Sequence, residues 1–289
     1  MEGECQKKMN DYIFQSDRLF FKHEISENLN RDTYSMHIHN GYELLYFLSG
    51  DATYVIEDRR YKLRKGDLIL IRPLQYHFIQ VDSPEAYERY DILFDPERHG
   101  IESARLVSED IEVINISGNV ILEELFRKLD FYRKNSESDV FERILYHLIS
   151  ELFYNISLSC HAMPENKPTL SPIISKALKY TNDNLCTVTG ISEIAGHLFV
   201  SESYLFRLFK NELHQTPKKY IREKRLLMAQ KMLMDGEKPT RVSERCGFLD
   251  YTTFYRNYTE FFGVSPKETK SGSFSTKTFR FAEDLYGEN

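Results

Sequence analysis

The 289-residue chain contains no tryptophan and only four cysteines. Cys5, Cys160, Cys186 and Cys246 are scattered without Cys-x-x-Cys spacing. That excludes a zinc ribbon and a disulfide framework, and it fits a reduced, cytosolic compartment. No run of about 18 apolar residues occurs, so no membrane span is expected. The first ten residues, MEGECQKKMN, are polar and lack the apolar core of a signal peptide. With 41% hydrophobic residues the chain is globular rather than disordered, and long enough for two domains.

Charge is unevenly spread. Residues 1–167 carry 20 Lys and Arg against 30 Asp and Glu, while residues 168–289 carry 18 against 14. An acidic front half joined to a basic back half suggests two jobs, the second facing an anionic polymer. The excess is small enough that ordinary solvated surface charge would also explain it.

Residues ~12 to 115 read as strands. Short runs rich in Tyr, Ile, Val and Phe (YELLYFLSG, ATYVIED, DLILIRP, YHFIQVD, ERYDILF) alternate with turn residues at roughly ten-residue spacing, which implies a sandwich or small barrel. The period then changes. Ile121, Leu122, Leu125, Phe126 and Leu129, then Phe141, Leu145, Leu148 and Leu152, repeat at three and four, so two amphipathic helices are expected, broken at KNSESD. They pack on the barrel, or they carry a homodimer interface; the second reading is the favoured one, because a helix pair at a domain edge needs its outer face covered. HAMPENKPTLSP then reads as a linker.

The stretch ISEIAGHLFVSESYLFRLFKNEL has the grammar of a helix-turn-helix. Ala195 is the small residue needed where the two helices touch; Ile194, Leu198, Val200, Leu205 and Leu208 fill the apolar offsets; Ser201 is placed to cap the second helix. The turn position that often holds Gly is Phe199. A second copy follows in VSERCGFLDYTTFYRNYTEFFG, with Ser243 as the small residue, Gly247 at the turn, and Phe248, Phe254 and Tyr258 as core positions. Its turn is one residue longer, and Ala195 and Ser243 lie 48 apart; such an internal repeat is far more specific than one motif. Between the copies, TPKKYIREKRLLMAQKMLMDG reads as one helix from Pro217 to a stop at Gly236, about 27 Å long, so the two second helices can meet successive major grooves on one face of DNA.

In these residues the chain resembles the DNA-binding domain of AraC/XylS-type transcriptional regulators, through SYLFRLFK, TPKKYI, R..MAQ..L, GF.D...F.R and FGVSP over residues ~170 to 269. The resemblance implies that Ser203, Phe206 and Arg207 in the first motif, and Tyr251, Thr252, Tyr255 and Arg256 in the second, face bases. Arg207 and Arg256 are the chief candidates, since Arg bonds guanine bidentately; Lys210, Lys218 and Lys219 are assigned to phosphates. Where many relatives end the second recognition helix with Phe-Lys-Lys, this chain has Tyr258, Thr259 and Glu260, which suggests a weaker grip by the second half.

The front half resembles the cupin-like effector domain of the same family. HIHNGYELLYFLSG matches its first motif, and GDLILIRPLQYH, ending in His77, resembles a degraded second one. By parity His37, His39 and Glu43 fall on one face of a strand. With His77 they form either a polar pocket lining for an organic ligand or, alternatively, a four-ligand metal set. Tyr42, Tyr46 and Tyr54 are candidate aromatic faces, and Tyr46 is included in the ligand set.

The expected architecture is therefore multi-domain: an all-β cupin-like barrel (1–115), a helical dimerisation segment (116–160), a linker (161–169), an all-α double helix-turn-helix (170–270) and a tail of no assigned role (271–289). The expected function is a cytoplasmic, dimeric transcription regulator of a double-stranded DNA operator, controlled by a small molecule, a sugar or related polar metabolite, with no catalytic residues, no cofactor and no membrane partner. A metal-dependent cupin enzyme with an appended DNA-binding domain, and a ligand-independent dimeric regulator, are the alternatives.

Overall fold

The computed structural model of the chain describes residues 12–16, 19–27, 36–95, 101–159 and 170–269. The expected linker 161–169 and tail 271–289 lie outside the described residues. The front half folds into strands β1 (Ile13–Gln15), β2 (Leu19–Ser26), β3 (Tyr42–Ser49), β4 (Ala52–Ile56), β5 (Arg59–Lys62), β6 (Asp67–Ile71), β7 (His77–Val81), β8 (Tyr87–Phe94) and β9 (Val113–Asn115). One sheet runs β1-β2-β8-β3-β6-β9 and the second β5-β4-β7, with every pairing antiparallel. Strand β3 shows why its sequence reads as an unbroken apolar run. Leu45 and Phe47 enter a core with Tyr54, Tyr61, Ile79 and Tyr87, while Leu44 and Tyr46 enter a separate core with the helices. Both faces of the strand are covered, so no polar face alternates with the apolar one.

Helix α1 (Val120–Asn135) starts at Asn119, whose side chain accepts a hydrogen bond from the Leu122 amide; α2 (Ser138–Ser159) follows after the break at Ser136 and Glu137. The apolar stripes of both helices are spent on the larger sheet. Phe126 stacks on Tyr46 with ring centroids 4.4 Å apart, and Phe141 meets Phe14 and Phe21 edge-on. Ile121, placed in the stripe by its spacing, is 57% exposed instead. At 100° per residue it falls outside the arc shared by Leu122, Leu125, Phe126 and Leu129.

The back half comprises α3 (Pro172–Asp183), α4 (Ile191–His197), α5 (Glu202–Leu213), α6 (Pro217–Met234), α7 (Pro239–Arg245) and α8 (Tyr251–Phe262). Helix α6 starts at Thr216, whose hydroxyl accepts from the Lys219 amide, with Pro217 in its first turn. Its 18 residues span about 27 Å, as the sequence implies. Little of this helix faces water. Tyr220, Leu226, Leu227 and Ala229 belong to the core of the back half, and so do Ile38 and Tyr76 from the front half.

The two halves therefore share a packed interface on α6. The Tyr76 ring stacks on Tyr220 at 4.6 Å, and its hydroxyl donates to Glu223 at 2.9 Å. The Glu57 carboxylate accepts from Tyr220 (2.7 Å) and from the Lys224 ammonium (2.6 Å), which also donates to Asn182 (2.8 Å). Asn40 donates to the Leu227 carbonyl (2.9 Å) and to the Gln230 side chain (2.8 Å).

A histidine ties the barrel to α1. One ring nitrogen of His23 lies 2.9 Å from Asp130 and the other 3.1 Å from Glu88. Burial lowers the imidazole pKa, but the two carboxylates outweigh it and the net shift is upward. A pKa raised on folding means stability that is fully present below the unfolded value of about 6.5 and lost as pH rises through the folded value. Asp130→Asn should therefore cost about 1–2 kcal/mol at pH 5.5 and less at pH 8.5. Urea unfolding at the two pH values measures this, and an equal loss at both would contradict it.

Candidate nucleic-acid interface and effector site

The two helix-turn-helices superpose residue by residue in their local bonding. In the first, the Leu198 amide donates to the Ile194 carbonyl and the Val200 amide to Ala195. In the second, Cys246 donates to Val242 and Phe248 to Ser243, the same pattern displaced by 48 residues. Ala195 and Ser243 are both buried, as the helix contact requires. The turn needs a left-handed residue. Gly247 takes it at φ 75°, and Phe199 takes it at φ 56° with its side chain 96% exposed. After the turn the offset becomes 49: Ser201 caps α5 by accepting from Tyr204, and Asp250 caps α8 by accepting from Thr253. The extra residue is Leu249, which is fully exposed.

The second helices present the expected residues outward. Ser203, Phe206, Arg207 and Lys210 on α5 are exposed, as are Thr252, Tyr255 and Arg256 on α8; Tyr251 is half-buried, against Phe254. Lys218 and Lys219 are exposed on the first turn of α6. Between the two recognition helices lies a cleft of about 830 Å³, reached by Phe206, Lys218, Arg222, Leu249, Arg256 and Asn257. The arginine of the R..MAQ..L piece, Arg225, ties the pair together. The Arg225 guanidinium donates to the carbonyls of Leu185 (2.8 Å), Val188 (2.6 Å) and Gly247 (2.8 Å), tying α6 to the loop before the first motif and to the turn of the second.

In the front half, His37, His39, Glu43 and His77 come together, with one ligand atom of each within 4.8 Å of all the others. The Nε2 atoms of His39 and His77 lie 2.9 and 3.0 Å from the same Glu43 oxygen, Oε2. Nδ1 of His39 meets the Gly41 carbonyl at 3.0 Å, and Nδ1 of His77 meets the Gln75 carbonyl at 2.9 Å. His39, Glu43 and His77 are buried and His37 is half-buried. Burial raises the Glu43 pKa, but His77 and His39 hold it well below the usual carboxylate range. Burial likewise lowers His77, and Glu43 reverses this to a net rise, while burial dominates at His39 and lowers it. Tyr46 does not join the cluster: its side chain lies on the other face of β3, against Phe126 and Tyr90. Positions 43 and 46 differ by an odd number, so a strand sends them to opposite faces. Tyr54 is the tyrosine that does join, its hydroxyl donating to Glu43 Oε1 at 3.3 Å.

Residues 25–147 match the family model of the AraC-like ligand binding domain, and residues 194–272 match a helix-turn-helix domain model. The chain belongs to the AraC family. It is a DNA-binding transcriptional regulator with a ligand-binding domain. It is similar to the raffinose operon transcriptional regulatory protein RafR of Pediococcus pentosaceus, 25% identical over 92% of this chain and 97% of that protein. It is similar also to the transcriptional activator RhaR of Cronobacter sakazakii, 22% identical over 84% and 89%. Among solved structures, apo ToxT K231A of Vibrio cholerae covers 88% of this regulator and 97% of its own chain at TM-score 0.39 and 14% identity. No described helix of the regulator is long and apolar enough to cross a membrane.

The turn of the second motif gives a sharp test of this frame. A Cβ on Gly247 would lie 2.0 Å from the Cys186 carbonyl oxygen, at a φ that L-residues avoid. Gly247→Ala should therefore destabilise the regulator by more than about 2 kcal/mol, read as a lowered thermal midpoint. A midpoint within a degree of wild type would show that the turn does not need its glycine.

Proposed function

We propose that the regulator reads a double-stranded DNA operator with both recognition helices, in response to a small molecule taken up by its N-terminal domain. The observation that carries this is the placement of Arg207 and Arg256, both exposed on second helices that share one strut, α6. Arg207 and Arg256 read guanine, with Ser203, Phe206, Tyr251, Thr252 and Tyr255 beside them; Lys210, Lys218 and Lys219 bind phosphate. A sugar or related polar metabolite is the favoured effector, which the name of the raffinose operon relative supports. A homodimer through α1 and α2 accounts for apolar side chains left outside the barrel packing: Val120, Ile121, Phe131, Tyr154 and Leu158 are all more than half exposed. The compartment is the cytoplasm, where the operator is.

Genomic DNA captured by the purified regulator supplies the operator. Arg207→Ala and Arg256→Ala should each weaken binding about tenfold or more and relax discrimination at one base pair. Lys218→Ala should weaken binding to all sequences alike and lower the salt slope by about one. Fluorescence anisotropy at several salt concentrations reads both, and unchanged affinity in both arginine variants would overturn the assignment. For the effector, thermal shift with raffinose and other sugars should raise the midpoint; no stabilising compound would favour a ligand-independent regulator.

A further inference from the structure

The four-residue cluster has a proton problem in its hydrogen bonding. Backbone carbonyls only accept, so the Nδ1 atoms of His39 and His77, which face the Gly41 and Gln75 carbonyls, carry hydrogens. Each Nε2 is then a lone pair in the neutral ring, and both point at one oxygen of the Glu43 carboxylate. With both rings neutral, two lone pairs and an anion converge on one point, the donor set that a metal cation takes. The carbonyl on Nδ1 is also the outer contact that fixes a metal-ligating histidine with Nε2 inward. Spacing agrees. Tetrahedral bonds of about 2.0 Å to nitrogen and oxygen set donors about 3.3 Å apart, within a few tenths of the 2.9 and 3.0 Å that Glu43 keeps from His39 and His77; the widest separation in the set of four, up to 4.8 Å, closes on the ion. His37 supplies a fourth donor, its ring 4.0 Å from that of His77. A sugar ring does not fit among donors this close, so an organic metabolite meets the cluster from outside.

The segments that hold these ligands also hold the DNA-binding half. Along 36–40 the residues alternate. His37 and His39 face the cluster, whereas Ile38 is buried in the core of the back half, the Met36 sulfur accepts from Gln215 (3.0 Å) and Asn40 bonds α6. The second ligand strand does the same: His77 faces the cluster, and its neighbour Tyr76 stacks on Tyr220 and donates to Glu223. The two segments are joined by an isolated bridge, His37 and His77 exchanging both N–H···O bonds at 3.0 Å. A shift of a fraction of an ångström at a ligand therefore moves a residue seated on α6.

We propose that His37, His39, Glu43 and His77 bind one divalent transition-metal ion, and that the ion sets how α6 docks on the barrel. Three imidazoles and one carboxylate suit zinc, nickel, cobalt or iron rather than calcium or magnesium. The regulatory half of this inference rests on the function proposed above; the ion-binding half does not.

Cobalt(II) is the probe, added to chelator-treated full-length protein. Wild type should take up one equivalent with the visible absorption of a tetrahedral site, and zinc should displace it. His37→Ala and His39→Gln, checked for folding by thermal unfolding, should each lose that spectrum. Hydrogen exchange then reads the dock: amides in 220–227 should change exchange rate about tenfold on cobalt binding in wild type. In Asn40→Ala/Tyr76→Phe, which keeps all four ligands, the spectrum should persist and the exchange response should disappear. No stoichiometric uptake, or uptake unaffected by both histidine variants, overturns the ion site. Uptake without any exchange change in 220–227 overturns the coupling. Neither result depends on an operator being found, so a failure of DNA reading would appear separately, in the anisotropy.

Discussion

Helix α6 is the constraint on which both halves depend. At 100° per residue, Tyr220, Glu223, Lys224 and Leu227 share one face, and Lys218, Ile221, Arg222 and Arg225 share the opposite one. The first face carries the contacts to Tyr76, Glu57 and Asn40; the second lines the cleft between the recognition helices. A docked barrel therefore leaves the DNA-facing side of the helix clear. Because Arg225 fixes the loop before the first motif and the turn of the second to the same helix, a movement of α6 carries both second helices with it.

The chemistry of the dock suits a contact that can be made and released. Its apolar part is small, centred on Ile38 and the Tyr76–Tyr220 stack. The rest is polar, with Glu57 and Lys224 side chains only 11% and 5% exposed. Taking those charges out of water offsets much of their mutual attraction, so the pair fixes orientation more than it adds stability. Removing one partner is far more disruptive than separating both into water. Such an interface is specific while assembled and not prohibitively costly to open, which is what a signal from the barrel requires.

The sequence made the double motif legible because the close helix contact tolerates only a small residue, and Ala195 and Ser243 occupy it in repeating register. The odd length of the second turn was visible too, and it resolves to Leu249. Strand parity holds for Glu43 on β3 and should have excluded Tyr46, three positions away, but His37 and His39 do not share that strand: they lie before β3, His37 held by an isolated bridge to His77, so the expected single strand face is corrected to a bridge that brings the histidines to Glu43. The dock was not legible. Its partners lie up to 190 residues apart, and Glu223 and Lys224 read as a solvated helix face until a barrel is laid on them. Nothing local distinguishes a charge awaiting a partner from one awaiting water.

The departure at the end of α8 takes on a different meaning in the structure. Tyr258 is fully buried and its hydroxyl pairs with Thr269, so that position is a core position and no phosphate contact is lost there. Thr259 is half-buried, and only Glu260 is exposed, on the rim of the cleft near Arg256. The second head thus offers Arg256 beside a carboxylate, where the first offers Arg207 with Lys210 one turn on. Within a Debye length of about 8 Å that carboxylate opposes the phosphate backbone. Under the proposed function, the first head would supply most of the sequence-independent grip and the second would mainly select. A head that selects without gripping contributes when something else holds it on the DNA: the other head through α6, or a second copy of the regulator.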